Sequence, residues 1–395
     1  MMTLRKTLYT VFCLLMGVCT LSGCIEKYEA DIAAEDSNLL VVEGTICASQ
    51  LNTFILSRTQ AINATHTPGM VTGASVSVRG SDGSEYVAQA TDGQYSCWIG
   101  DLSTDVEYYL HIETDGEVYE SEPQRPLRTE KITVVKGVQS TPESSIDVLV
   151  SLDSPIAPEE TSYYTWAYDE TWEVRSDYTT FWYFDVETME PVYKDNQFPN
   201  RGWKYATGSD ILVTTSANYE GHHIQNLKLY DIGRDNERML QKYSGLIQQR
   251  AITKAEYEYE LARRQAGTEM GGLFTPQPSS LPTNIHCLTS KKHVIGFVGC
   301  SLNTSSYRFF LDPSSYSIYR PAQSDSRKWL EDCNEEDCLK MAEAGMFLCE
   351  WQDDRILPGG KLRTAWAFES QLDVRHKGAS IEEPDYWSLE EDVSY

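Results

Sequence analysis

The chain is expected to be mainly β, with an N-terminal immunoglobulin-like β-sandwich followed by a larger β-rich domain carrying one or two short helices. Three observations lead there. Short apolar runs separated by turn dipeptides fill the N-terminal part without a helical period. Aromatic residues then recur at every second position in the middle of the chain. The composition, 41% hydrophobic and 11% aromatic with 24 Tyr and 9 Trp, excludes a largely disordered chain. At roughly 150 residues per domain, 395 residues leave room for two or three domains with real cores. The net charge of −26 repels phosphate backbones, so no nucleic-acid partner is expected.

Residues 1–23 read as a leader. Arg5 and Lys6 form a short basic region, and residues 8–18 are an apolar run too short to span a bilayer comfortably. Removing this leader makes the mature chain −28, because it carries two cations and no acid. The run ends in Leu21-Ser22-Gly23-Cys24, which resembles the lipobox of bacterial lipoproteins. The resemblance implies cleavage before Cys24, a thioether from its thiol to diacylglycerol, and acylation of the new amine by a fatty acid such as palmitate. Three chains, at about 0.8 kcal/mol per buried methylene, anchor far more firmly than one.

Residues 24–37 form an acidic tether with Glu26, Glu29, Asp31, Glu35 and Asp36. Ile25 stands where enterobacterial lipoproteins retained in the inner membrane carry Asp, so the outer membrane is the expected location. The acidic stretch is similar to the signal that sends Bacteroidota lipoproteins to the cell surface, and reads equally well as a solvated linker.

Residues 38–125 read as the sandwich. Its strands begin with Leu39-Leu-Val-Val-Glu-Gly44, Thr53-Phe-Ile-Leu-Ser57 and Ala74-Ser-Val-Ser-Val78, and continue with Val106-Glu-Tyr-Tyr-Leu-His-Ile112 and Val118-Tyr-Glu-Ser121. Asp82-Gly83, Asp92-Gly93 and Asp115-Gly116 punctuate them as hairpin turns needing positive φ. Cys47 and Cys97 are the two cysteines of this region, and a disulfide between them is expected in an oxidising envelope. Pro123 and Pro126 then mark an interdomain linker.

The second domain is assigned to residues 126–395. Tyr164, Trp166, Tyr168, Trp172 and Val174 fall on one face of a strand, interrupted by Glu170. This predicts a half-buried strand with an aromatic core face. Phe181-Trp182-Tyr183-Phe184 is four aromatics in a row, which cannot all face one side of a strand. At least two of them should be exposed or covered by a loop or partner, so the four are a candidate partner or ligand surface. Thr253-Lys-Ala-Glu256 matches a capping box and starts a helix over residues 253–266. A second helix is expected over 326–344, and strands around 294–298 and 307–311.

The run Tyr243-Ser-Gly-Leu-Ile-Gln-Gln-Arg-Ala-Ile-Thr-Lys-Ala-Glu-Tyr-Glu-Tyr259 and the block Gly271-Gly-Leu-Phe-Thr-Pro-Gln-Pro-Ser-Ser-Leu-Pro-Thr-Asn-Ile285 resemble the central signature of a known family. Leu40-Val-Val-Glu-Gly44, Tyr168-Asp-Glu-Thr-Trp-Glu-Val174, Ser209-Asp-Ile-Leu-Val213 and Pro384-Asp-Tyr-Trp387 are similar to further stretches of it. The family is that of domain of unknown function 4249, outer-membrane lipoproteins of Bacteroidota. The resemblance implies a lipoprotein encoded near TonB-dependent outer-membrane transporters and no established chemistry. Family members often carry a Cys-x-x-Cys pair before the final aromatic motif. Gln371-Leu-Asp-Val374 stands there instead, so no disulfide or metal role is carried over.

Seven cysteines remain after the leader and Cys24: Cys47, Cys97, Cys287, Cys300, Cys333, Cys338 and Cys349. The odd number leaves at least one free or intermolecular. Cys333 and Cys338 are close in sequence, but no second close pair or His-x₃₋₅-His completes a zinc site. No His-Glu-x-x-His, Gly-x-Ser-x-Gly or phosphate-cradling loop occurs, so no catalytic residue, metal or cofactor is assigned. The expected function is that of an accessory or ligand-capture partner of a TonB-dependent barrel. The alternatives are a structural or adhesive envelope protein, or a hydrolase with an unrecognised site.

Overall fold

The computed structural model describes residues 38–59, 69–194, 197–268, 281–322, 324–388 and 393–394. The leader, Cys24, the acidic tether and most of the 271–285 block lie outside the described residues. Strands make up 46% of the described residues and helices 14%, so the fold is mainly β.

Two sheets form the N-terminal sandwich. The first runs in the order Val294–Gly296, Leu40–Glu43, Gln50–Arg58, Gln94–Ile99, Gln89–Thr91, and the second Ile285–Cys287, Glu117–Ser121, Tyr108–Thr114, Ser75–Gly80, Glu85–Val87. Leu40, Val42, Phe54, Leu56 and Tyr95 from one face meet Val76, Val78, Leu110, Ile112 and Tyr119 from the other in one buried cluster. Alternation along each strand produces this, since every second side chain points inward. At Asp92-Gly93 and Asp115-Gly116 both residues have positive φ (48° and 82°; 52° and 75°), the backbone that a two-residue hairpin turn requires.

The sandwich is not confined to residues 38–125. Strands at 285–287 and 294–296 supply one edge of each sheet, and Gly299–Ser301 pairs in parallel with Thr45–Cys47. Ile285, Val294, Val298 and Cys300 belong to its core. The 121–126 segment is likewise no free linker. Gln124 exchanges backbone hydrogen bonds with Tyr108 (2.8 and 2.9 Å), and its side-chain amide donates to the Val298 carbonyl at 2.6 Å. Two prolines hold the segment extended, and that lets it lie along the returning chain.

A second pair of sheets follows. Arg201–Thr207, Tyr163–Arg175, Tyr243–Ile252, Ser305–Leu311 and Val393–Ser394 run side by side, with Leu212–Thr215 also on the long strand. The sheet of Ile132–Gln139, Ile146–Leu152 and Leu227–Ile232 shares its core. Tyr164, Trp166, Trp172 and Val174 point into that core, as their spacing predicts. Glu170 is buried among them. Its carboxylate accepts from Tyr243 Oη at 2.9 Å and meets Arg238 Nε at 3.2 Å, while burial pushes its pKa above the usual carboxylate range. The opposite face of this strand is buried at Thr171 and Glu173 as well. The C-terminal segment covers it there: Thr171 Oγ1 and Tyr386 Oη lie 2.8 Å apart.

The helix Lys254–Thr268 starts as expected, with Thr253 Oγ1 accepting the Glu256 N–H at 3.1 Å. Glu256 then forms a bidentate pair with Arg250 (2.5 and 3.3 Å), both side chains largely out of solvent. Gly299 passes directly beneath, where a Cβ would come within 2.3 Å of Glu256 Oε2. This ion pair therefore sits where the second part of the chain returns to the sandwich.

Residues 326–344 are not one helix. Lys328–Glu331 is a strand on the edge of a small sheet with Leu362–Phe368 and Met346–Asp353, and the helix spans only Glu335–Glu343. Asp332 takes a positive φ of 58°, and Asn334 caps the helix in a capping box with Asp337. Those two residues stop the strand and start the helix, which a single 19-residue helical reading overlooks.

Candidate functional site

The aromatic quartet opens a hairpin on this small module. Trp182–Asp185 pairs with Glu190–Tyr193. Its turn is held by Asp185 Oδ1, which accepts the Glu187 N–H at 2.9 Å. That hydrogen bond keeps the Asp185 carboxyl below the usual carboxylate range. Upstream, the buried Thr180 hydroxyl accepts the Trp182 N–H at 3.0 Å and donates to the Leu348 carbonyl, fastening the hairpin to the strand Met346–Asp353.

Strand alternation divides the four rings two and two. Phe184 is 3% exposed and sits edge-on to Trp366 at 5.8 Å, with Trp351 stacked at 6.2 Å. Trp182 packs against the same cluster, with Leu348 and Leu362. Phe181 and Tyr183 point outward, 43% and 41% exposed. Tyr193, 65% exposed, stacks on Phe181 at 6.3 Å, and Val192 sits across from Tyr183. Lys194 Nζ lies 5.8 Å from the Tyr183 ring centre. Phe181, Tyr183 and Val192 are exposed on the outer side, while Tyr193 lies across from Trp182, edge-on to it at 6.1 Å, and is exposed at the end of the hairpin beside Phe181. Next to the hairpin lies an apolar cavity of about 170 Å³, lined by Trp182, Tyr183, Phe184, Met346, Leu348 and Trp366.

A larger cleft of about 620 Å³ opens at the root of the segment that leads to the hairpin. Glu173, Arg175, Asp177, Arg320, Ser326 and Lys377 line it. Its charges are largely matched within its own wall, Arg175 to Glu173 and Lys377 to Asp177, each at 2.6 Å. Such pairing leaves little field of one sign to draw in an ion. No sequence pattern marks this cleft, because its lining comes from four separate stretches of chain.

Cys47 and Cys97 form no bridge; all seven cysteines among the described residues are free. Cys47 lies on the short strand beside Gly299–Ser301, with its backbone held by the Asn52 side chain (2.7 and 2.9 Å). The charged groups acting on its thiol are Arg250 and Glu256. Cys97 lies on Gln94–Ile99 opposite Asn52, where burial alone raises its thiol. Among the described residues, no three His, Cys, Asp or Glu side chains gather where they could hold a metal ion. No described helix is long and apolar enough to cross a membrane.

These features define a multi-sheet, mainly β protein whose most distinctive surface is an aromatic hairpin. The chain belongs to the DUF4249 family, a domain of unknown function whose model matches residues 25–307. The match covers the hairpin and most of the two pairs of sheets, ends within the strand Ser305–Leu311, and stops before the sheet and helix that support the hairpin. No curated protein matches the chain. Among solved structures, a cryo-EM reconstruction of native E. coli alpha-2-macroglobulin is similar to 56% of this chain at 10% identity, with a TM-score of 0.17. This chain spans only 13% of that one, and a likeness so slight carries no argument.

Proposed function

We propose that this protein is a lipid-anchored outer-membrane lipoprotein that serves as an accessory or ligand-capture partner of a TonB-dependent transporter, docking on the barrel through the outer face of the 182–193 hairpin. The observation that carries the reading is the division of the aromatic quartet. Trp182 and Phe184 lock the hairpin onto the module, which holds Phe181 and Tyr183 outward on a rigid base, with Tyr193 exposed beside Phe181. Rigid, exposed aromatic rings lose little entropy on binding and are the usual anchors of specific interfaces. The adjoining cavity has the size and lining to take one apolar side chain from a partner loop. The acidic charge of the chain steers approach more than it sets affinity. The basic and apolar leader, the lipobox-like Leu21-Ser22-Gly23-Cys24 and the resemblance to a family of outer-membrane lipoproteins support an anchor in the outer membrane.

Two experiments test this reading. Cys24→Ala should abolish fatty-acid incorporation and leave the leader uncleaved or aberrantly processed. Normal labelling and processing of that variant would remove the lipid anchor from the proposal. A native pull-down of the wild-type chain from detergent-solubilised outer membrane should then recover a TonB-dependent barrel, and repeated recovery of none would remove the partner.

A further inference from the structure

Cys333 and Cys338 occupy the two positions that a capped helix start brings together. Asn334 Oδ1 accepts the Asp337 N–H at 3.1 Å, and Asp337 Oδ2 accepts the Asn334 N–H at 3.4 Å. Cys333 therefore precedes the cap and Cys338 is the fourth residue of the helix, the pair that packs as a hydrophobic staple across such a box. Here both members of the staple are thiols. They converge on one hydroxyl: Cys333 Sγ is 3.7 Å from Thr364 Oγ1, and Thr364 and Cys333 are the polar neighbours that act on the Cys338 thiol. Both pack in the cluster of Phe184, Leu348, Leu362 and Trp366. Cys349 stands apart in a different cluster, with its thiol donating to the Phe347 carbonyl at 3.6 Å.

We propose that Cys333 and Cys338 are a disulfide-forming site, which clamps the first turn of the helix Glu335–Glu343 beneath the aromatic hairpin when the protein meets a thiol–disulfide oxidant of the glutathione class. Cys333 is the more accessible thiol, and burial pushes the Cys338 thiol up to about 12, so Cys333 reacts first. Its thiolate attacks one sulfur of the oxidant, breaking that S–S bond and releasing one thiolate. Cys338, losing its proton, then attacks Cys333 Sγ and releases the second. Two cysteines are oxidised, one disulfide is reduced to two thiols, and the two protons pass to those leaving groups. The helix bears Ala342, which lines the cavity beside the hairpin, so the clamp stiffens the floor of that surface.

The test is to equilibrate the folded full-length chain with oxidised glutathione, quench with acid, denature, alkylate and digest with trypsin. Both cysteines fall on one fragment, residues 329–340. The expected fragment is lighter than the reduced peptide by two hydrogen atoms and carries no alkyl group. Cys349→Ser should leave that result unchanged, and Cys333→Ser should leave Cys338 alkylated. Three results would overturn the proposal: a doubly alkylated fragment after oxidation, a fragment carrying only a glutathione adduct, or loss of the lighter species in Cys349→Ser. Alkylation is read after denaturation, so burial of a thiol does not obscure the outcome, and the circular dichroism of each variant before oxidation shows that it is folded.

Discussion

Phe184→Ala is expected to unfold the small module at temperatures where the two sandwiches remain intact. Phe184 is buried against Trp366 and Trp351, and with Trp182 it is the hairpin's main attachment to the strands 346–353 and 362–368. Truncating a buried phenylalanine costs about 3–5 kcal/mol, from lost transfer energy and the cavity left behind. The adjoining cavity of about 170 Å³ gives the neighbours no support for closing over the gap. Limited proteolysis should therefore cut near the hairpin in the variant and not in the wild type. Phe184→Leu, which keeps most of the volume, should cost under about 1.5 kcal/mol. Equal protease resistance of Phe184→Ala and wild type would show that the hairpin does not depend on this contact.

Glu256→Ala is expected to destabilise the junction between the two sandwiches by about 3–5 kcal/mol, because it strands the Arg250 guanidinium without its partner. The loss should be largest where Gly299 runs under the pair, loosening the parallel strands 45–47 and 299–301. Hydrogen exchange at those strands, followed with the thermal transition, checks it. Changing both partners to apolar residues of similar volume should recover part of the loss, since a buried pair is costly to break and nearly neutral to replace. An unchanged transition in Glu256→Ala would mean that water reaches Arg250 in the folded protein.

Local chemistry was the readable part of this sequence. The Asp-Gly turns at 92–93 and 115–116 form because so few other residues accept two successive positive φ values. The helix cap at Thr253 and the core face of Tyr164, Trp166, Trp172 and Val174 follow from spacing alone. What escaped was decided by distant chain. Three-residue strands such as Ile285–Cys287 and Val294–Gly296 carry no period, yet they complete sheets begun more than 160 residues earlier. Lys328–Glu331 is rich in residues that suit a helix, and it is a strand because Leu362–Phe368 offers an edge to pair with. The division of Phe181-Trp182-Tyr183-Phe184 into two inward and two outward rings was implicit in the alternation. Which pair would be buried depended on Trp351 and Trp366, far along the chain.

The most direct measurement compares the wild-type full-length chain with Phe181→Ala/Tyr183→Ala, each purified natively from detergent-solubilised membranes of the cells that make it. The two substituted rings are exposed, so the melting temperature should hardly move, surface changes of this kind staying within about 0.5 kcal/mol. If the hairpin docks on a TonB-dependent barrel, recovery of that barrel should fall at least about tenfold, the loss expected when aromatic anchors worth more than about 1 kcal/mol each are removed. Undiminished recovery of the barrel by a variant that melts like the wild type would contradict the assignment of this surface.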